Sequence, residues 1–188
     1  MTIKNSYSEK LIELAEYDLS IREEVLNDKR FTGSYHPKME KVHKENAQKL
    51  REIILEIGFP TISNVGKEAS NAAWLIIQHS ISEPDFMKFS YALMLKNDSD
   101  VDLRNLAFLY DRIQYFQGLP QKFGTQLNAD RTIYPVENKE IITELRKNNH
   151  LPILTQTEID SIAPIQDIEK IENQNPDYII WRKKVGWK

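Results

Sequence analysis

The sequence predicts a mainly α-helical, single-domain protein: a helical bundle with one small β-hairpin attached. Three observations lead to this prediction. Apolar residues recur at helical spacing along most of the chain. One stretch, at about 123–136, instead alternates apolar and polar residues as short strands do. The length of 188 residues suits one domain, and 40% hydrophobic residues are enough to fill its core.

Apolar stripes and stop signals define the helices. Leu14, Ile21 and Val25 lie on one side of the first helix, and Gly58 with Pro60 ends the second. Small residues in the third helix suggest the close approach of a neighbouring helix. The predicted helices cover, in chain order, about residues 7–27, 37–57, 65–80, 83–96, 100–117, 137–148 and 156–161.

Turn formers and capping pairs separate these helices. The segment 28–37 is rich in turn-forming residues and is expected to be a loop. In the predicted hairpin, residues 128–132 form a five-residue connection, and Pro135 confines the second strand to an edge. Residues 1–163 are expected to form the domain, and 164–188 a peripheral C-terminal element. Three pairs have capping-box spacing: Ser82 with Asp85, Ser99 with Asp102, and Thr155 with Glu158.

The composition excludes several classes of function. Cysteine is absent, so the chain has no disulfide, thiolate metal site or cysteine nucleophile. A net charge of −3 argues against a nucleic-acid binder. The longest apolar run, 72–77, is too short to span a membrane, and the N-terminus lacks the apolar core of a signal peptide. We therefore expect a cytoplasmic protein that binds neither nucleic acid nor membrane; the sequence does not define its oligomeric state.

The one basic cluster is the tail, residues 181–188, in which tryptophans alternate with cations. Such a tail could stack on bases or contact acidic lipid. The alternative, which we favour, is that its tryptophans dock on the domain.

His79 is the first candidate for chemistry, because it ends an apolar helix one turn after Leu75 and Ile76. A histidine near a buried face can be a general base, a metal ligand or a proton relay, or else a core residue hydrogen-bonded to a carbonyl or carboxylate. Glu40 and His43 have the i, i+3 spacing of di-metal carboxylate bundles. No second Glu-x-x-His occurs, so we expect no metal and no cofactor.

Two further groups of polar residues are candidates for a functional site. Asp111 and Arg112 interrupt an apolar helix, where a charge needs a partner; Arg112 could bind an anionic ligand or clamp a neighbouring helix. The segment 118–126 places two glutamines, a threonine and a glycine directly after that helix. Gly118 and Pro120 are explained as a helix stop. The amides suit either a polar ligand or a connector. HExxH, P-loop, GxGxxG and GxSxG patterns are absent.

Several of these segments together resemble one bacterial family, domain-of-unknown-function family 6624, over about residues 42–155. The specific part is Pro-Gln-x-aromatic-Gly-Thr-Gln following Asp-Arg. The chain departs from the family at Phe59, usually tryptophan; at Phe123, usually tyrosine; at His43, usually acidic; and at Ala47, usually threonine. The segments that carry the resemblance are 45–54, 58–60, 65–66, 72–79, 109–112 and 118–126.

The resemblance implies no mechanism, but it groups the polar positions into one candidate site. If the helices pack as a compact bundle, these side chains could converge on one cleft. We predict His79 and Asp111 as catalytic residues. The predicted ligand-binding residues are Glu45, Asn46, Gln78, Arg112, Gln121, Thr125 and Gln126.

Two functions remain open from the sequence. The first is an enzyme, a hydrolase or small-group transferase acting on a small polar molecule, with His79 as general base oriented by Asp111 or Glu45. The second is a non-catalytic ligand- or protein-binding module whose polar residues form a structural network. A structural network should be fully paired internally, whereas a catalytic site should leave His79 facing solvent.

Overall fold

The computed structural model describes residues 3–27 and 35–188, and this part of the protein is mainly helical. Seven residues of the predicted loop, 28–34, lie outside the described residues. None of the described helices is long and apolar enough to cross a membrane. The α-helices of the described residues are α1 Ile3–Leu26, α2 Pro37–Ile57, α3 Ile62–Val65, α4 Lys67–His79, α5 Pro84–Lys96, α6 Leu103–Gln117, α7 Ile142–Asn148, α8 Gln156–Ser161, α9 Ile168–Glu172 and α10 Pro176–Val185.

The chain divides into two compact units, Met1–Asp102 and Leu103–Lys188. In the first unit, α1 packs against α2 and α4. The small residues predicted to allow a close approach do lie in the core, since Ala69 is 1% and Ala73 is 0% exposed. Helix α4 can therefore lie close to its neighbours, which brings its C-terminal histidine near α1 and α2.

Helix ends follow local signals in most places. Helix α2 has the predicted bounds, and the N–H of Gly58 donates to Ile54 O at 3.0 Å to close it. The predicted helix at 65–80 is instead two helices, α3 and α4. Gly66 separates them because its φ of +85° is not helical.

The capping predictions had different outcomes. Thr155 and Glu158 form the predicted capping box at the start of α8. Ser82 does not cap α5, since the N-cap residue there is Glu83 and it makes no side-chain capping bond. Pro84 occupies the first turn instead and supplies a helical φ without needing a capped N–H.

The predicted β-hairpin at 123–136 is wrong, because the described residues contain no β-strand. Two isolated bridges occur in this region. Leu127 pairs with Ile133 in the antiparallel sense, and Gln121 pairs with Val136 in the parallel sense. Neither bridge extends into a ladder.

Side chains explain why no ladder forms. The N–H of Tyr134 donates to the carbonyl of Gln126 at 3.0 Å, as in an antiparallel pair. The return bond from Gln126 to Tyr134 is replaced by the Gln121 amide, which accepts from the N–H of Gln126 and donates to the carbonyl of Tyr134. The carboxylate of Asp111 accepts from three backbone N–H groups of the same loop. Pro135 has no N–H to offer. Several backbone groups of this segment are thus bonded to side chains, which limits the antiparallel pairing to the bridge between Leu127 and Ile133.

The C-terminal residues 164–188 lie in the second unit. Arg182 is 0% exposed, and its Nη1 donates to the Tyr115 and Phe116 carbonyls at the end of α6. Its Nη2 lies 2.7 Å from Oε1 of Glu172. Trp187 is buried and stacks on Phe116, with ring centroids 5.1 Å apart. At Trp187 the tail packs against its own unit, in line with the interpretation that we favour from the sequence.

Candidate functional site

One cluster of ionisable side chains lies inside the first unit, where three helices meet. Asp18 comes from α1, His43 from α2 and His79 from the last position of α4. One ligand-type atom from each residue lies within 4.8 Å of the other two. The side chain of Asp18 is 0% exposed and that of His43 is 4% exposed, whereas His79 is 15% exposed. His79 is therefore the member of the cluster that solvent reaches best.

Asp18 lies between the two imidazoles. Its Oδ1 is 2.6 Å from Nδ1 of His79, which is a hydrogen bond. Its Oδ2 is 3.4 Å from Nε2 of His43, at the limit of one. The hydroxyl of Tyr35 is hydrogen-bonded to Nδ1 of His43, and the two rings stack with centroids 5.7 Å apart. Four side chains thus form one continuous chain of polar contacts from Tyr35 to His79.

Two opposing effects set the charge of Asp18. Burial alone would raise its pKa. The hydrogen bonds and positive charge of His43 and His79 have a larger, opposite effect and lower the pKa to about 2. Asp18 is therefore a carboxylate at neutral pH and can only accept hydrogen bonds. Burial raises the pKa of the Tyr35 phenol, so its proton stays in place.

This charge assignment determines where neutral imidazoles carry their protons. His79 must carry its proton on Nδ1, because that nitrogen faces the Asp18 carboxylate at 2.6 Å. Its Nε2 then has a free lone pair. Nδ1 of His43 shares a hydrogen bond with the Tyr35 hydroxyl, and its Nε2 faces the other oxygen of Asp18 at 3.4 Å. The resulting arrangement is an imidazole oriented by a buried carboxylate, with Nε2 able to accept a proton.

Asp18 was not among the residues that the sequence analysis selected, although the sequence contains a signal for it. The buried side of α1 runs through Leu11, Leu14, Ile21 and Val25, all 8% exposed or less. Asp18 falls in the gap of this stripe, four residues after Leu14 and three before Ile21. A lone carboxylate on the apolar side of a helix must be paired, and that requirement points to a buried cation or donor.

The predicted catalytic Asp111 lies in the second unit, where its oxygens accept hydrogen bonds from the loop that follows α6. Oδ1 accepts from the N–H groups of Lys122 and Phe123 at 2.8 and 3.0 Å. Oδ2 accepts from the N–H and the hydroxyl of Thr125, both at 3.0 Å. Burial raises the pKa of Asp111 to about 6, against the effect of the N–H and hydroxyl groups. Both oxygens are engaged within the second unit.

The two predicted glutamines bond to each other in the same loop. Gln121 is 0% exposed, and its Nε2 donates to the carbonyls of Gln126 and Tyr134 at 2.9 and 2.7 Å. The backbone N–H of Gln126 donates to Oε1 of Gln121 at 2.8 Å. The side chain of Gln126 donates to the Thr125 hydroxyl at 3.1 Å. The amide nitrogen of Gln121, through both of its N–H groups, and the amide oxygen are thus bonded to the loop itself.

Arg146, which the sequence analysis did not select, joins this network from α7. Its Nη1 donates to the carbonyls of Phe123 and Gly124 at 2.7 and 3.1 Å. Its Nε donates to the carbonyl of Pro152 at 2.7 Å. With Asp111 accepting from the N–H groups and Arg146 donating to the carbonyls, the loop is held from both sides.

The other predicted binding residues have varied surroundings. Asn46 is buried and donates to the carbonyl of Leu14 at 3.2 Å, which joins α2 to α1. Glu45 is half exposed, with Lys41 Nζ 3.9 Å away. Gln78 is buried in α4 next to His79, and Arg112 is half-buried in α6. Glu45, Asn46, Gln78 and His79 belong to the first unit, and the remaining predicted residues to the second.

The chain belongs to a family of unknown function, DUF6624, whose model matches residues 6–159. The resemblance seen in the sequence is thereby confirmed, and the match includes Asp18, His43 and His79. No curated protein and no solved structure matches this chain.

Proposed function

We propose that this protein is an enzyme, a hydrolase or small-group transferase, in which His79 is the general base and Asp18 orients it. The observation that carries the proposal is the 2.6 Å contact between Nδ1 of the partly exposed His79 and Oδ1 of the buried, ionised Asp18. Catalytic sites commonly contain such a pair, a buried carboxylate hydrogen-bonded to a solvent-accessible imidazole.

The proposed step is the removal of a proton from water or from a hydroxyl of a small polar substrate. Nε2 of His79 accepts that proton while the oxygen that loses it bonds to the electrophilic carbon or phosphorus of the ester, amide or phosphate group. The imidazole is then positively charged, and the carboxylate of Asp18 stabilises this charge through the Nδ1–H hydrogen bond. The bond from that atom to the leaving group then breaks, and the leaving group takes the proton back from Nε2 of His79. Asp18 keeps its own negative charge throughout, because its pKa is about 2.

His43 acts in this proposal as a positioning residue. Its Nε2 faces the second oxygen of Asp18 at 3.4 Å, and Tyr35 holds its other nitrogen. Together they restrict rotation of the carboxylate, so that Oδ1 stays directed at His79. The resemblance implies an acidic residue at position 43 in most of the family, so this feature would be particular to chains with histidine there.

For the second unit, the hydrogen bonding favours the alternative of a structural network. The side chains of Asp111 and Gln121 hydrogen-bond to backbone groups of one loop, and such internal pairing is expected of a structural network. We therefore propose that Asp111 stabilises the fold rather than acting in catalysis. The ligand-binding roles of Glu45, Gln78 and Arg112, and their convergence on one cleft, stay predictions.

The test is a comparison of variants over a panel of chromogenic carboxylic esters, amides, phosphomonoesters and phosphodiesters. His79→Gln and Asp18→Asn are compared with the parent protein, and His150→Asn, at an exposed position, is the matched control. General-base catalysis contributes about 10²–10⁴-fold, so both site variants should lose at least about 100-fold while the control is unchanged. No turnover in any class, or equal turnover by His79→Gln, contradicts the proposal.

A further inference from the structure

We propose that Asp18, His43 and His79 form a mononuclear binding site for a divalent transition metal. The three residues come from three helices, and their candidate ligand atoms lie within 4.8 Å of one another. The sequence offers His79 as a possible metal ligand and Glu40 with His43 as a possible pair of ligands, but no sequence motif joins these residues to Asp18. The juxtaposition arises from the packing of α1, α2 and α4, and no local motif encodes it.

The distances fit a metal site that closes by small side-chain rotations. Ligand atoms about 2.1 Å from a tetrahedral Zn²⁺ lie about 3.4 Å from each other. Nε2 of His43 and Oδ2 of Asp18 are 3.4 Å apart, which is long for a hydrogen bond and suits two ligands of one ion. One ligand-type atom from each of the three residues lies within 4.8 Å of the others, so a rotation that brings a single Asp18 oxygen to about 3.4 Å from both imidazole nitrogens would close the site.

The ligand types select the class of metal. Two imidazole nitrogens and one carboxylate oxygen suit Zn²⁺, Fe²⁺ and Co²⁺, whereas Mg²⁺ and Ca²⁺ prefer oxygen ligands alone. Three protein ligands leave at least one coordination position open, as in catalytic rather than structural zinc sites. His79 is the most exposed of the three, so the open position is expected on its side.

The surroundings of His43 supply the outer contact that such sites usually have. A metal-bound histidine commonly donates its other N–H to a neighbouring acceptor, which fixes the ring. Nδ1 of His43 is already hydrogen-bonded to the Tyr35 hydroxyl. On metal binding, His43 would carry its proton on Nδ1 and donate it to Tyr35, and Nε2 would be free to bind the ion.

This inference goes beyond the proposed function and does not depend on it, because metal binding is measured without a substrate. Metal binding and general-base catalysis both involve the imidazole of His79, and His79 cannot do both at the same time. In the metal-free protein Nε2 of His79 accepts a proton. With Nδ1 bound to the ion, Nε2 carries the proton and can only donate, so activation of water would depend on the Lewis acidity of the metal.

The experiment is a titration of the untagged full chain with Co²⁺, followed by visible absorption, and displacement by Zn²⁺. The parent protein should saturate at one ion per chain. His43→Gln and His79→Gln should lose this binding, whereas His150→Asn should retain it. Tyr35→Phe should weaken it by roughly 10–100-fold, as expected for loss of an outer contact.

Absence of saturable binding by the parent protein, or unchanged binding by both histidine-to-glutamine variants, overturns the metal site. If those variants do not fold, the paramagnetic shifts of the histidine ring signals in Co²⁺-loaded parent protein show which histidines bind the ion. Shifts confined to His43 and His79 support the site, and shifts only at His36 or His150 overturn it. Turnover of the substrate panel by chelator-treated protein tests the general-base proposal separately.

Discussion

Nδ1 of His79 lies 2.6 Å from Oδ1 of Asp18, although 61 residues separate them in the sequence. The contact joins the end of α4 to the middle of α1 and directs the free nitrogen of the imidazole away from the carboxylate. The functional proposal and the metal site both follow from this pair, and so do the first two predictions below.

Replacement of Asp18 should destabilise the protein in a pH-dependent way. The folded-state pKa of about 2 lies below the ordinary value of 3.8, so Asp18 stabilises the folded state above pH 3.8. This stabilisation disappears as the pH falls towards 2, and it amounts to about 2 kcal/mol. Urea unfolding of Asp18→Asn and the parent should therefore show a gap at pH 5 that closes by about pH 2. A gap of constant size over this range would refute the assigned pKa.

His43 and His79 should differ in their reactivity towards diethyl pyrocarbonate. Diethyl pyrocarbonate reacts with an accessible unprotonated imidazole nitrogen. His79 is 15% exposed and its Nε2 is free, whereas His43 is 4% exposed and both of its nitrogens face partners. Mass spectrometry after brief treatment should show His79 modified well before His43, with exposed His150 as the reference. Faster modification of His43 would contradict the assignment of His79 as the accessible base.

Asp111→Asn should destabilise the second unit strongly. An asparagine offers one acceptor oxygen and directs an amino group at backbone N–H donors that now bond to the second carboxylate oxygen. Leaving buried donors without acceptors costs about 1–3 kcal/mol for each group. Chemical unfolding should show a loss of at least about 2 kcal/mol, against less than about 0.5 kcal/mol for the exposed control Asp160→Asn. A loss as small as that of the control would refute the structural role of Asp111.

Arg182→Met should show that the C-terminal helix α10 is an integral part of the second unit. The wholly buried guanidinium donates to two carbonyls at the end of α6 and pairs with Glu172 at 2.7 Å. Its removal leaves these carbonyls without their donor, at about 1–3 kcal/mol for each, while Glu172 keeps its contact with Lys188 at 2.7 Å. Thermal unfolding should show a large loss for Arg182→Met and almost none for the exposed Lys183→Met. Equal stability of the two variants would mean that α10 is dispensable.

Local sequence signals predicted much of the helical structure. Gly58 ends α2 at the expected residue, and the Thr155–Glu158 capping box begins α8. Both are short-range effects, which depend on residues within one helical turn. The hairpin prediction failed because alternating hydrophobicity does not show which side chains elsewhere in the chain compete for the backbone N–H groups. Asp111, on a different element, takes the N–H groups that the first strand would have needed.

The candidate site could be predicted only in part, for the same reason. His79 could be found because it ends an apolar helix. Its partner could not be identified, because 61 residues separate Asp18 from it and many carboxylates were available. The position of Asp18 within the apolar stripe of α1 marks it as a buried charge in need of a partner, but only packing shows that His43 and His79 meet it there.

The tautomer of His79 in the metal-free protein tests the central claim most directly. Long-range ¹H–¹⁵N correlation NMR at neutral pH, with a chelator present, distinguishes a protonated from an unprotonated ring nitrogen. The account predicts that His79 carries its proton on Nδ1 with Nε2 unprotonated, and that Asp18→Asn weakens this preference while His150 is unaffected. A proton on Nε2 of His79 in the parent protein would contradict the account, because the nitrogen assigned as the general base would then have no lone pair to offer.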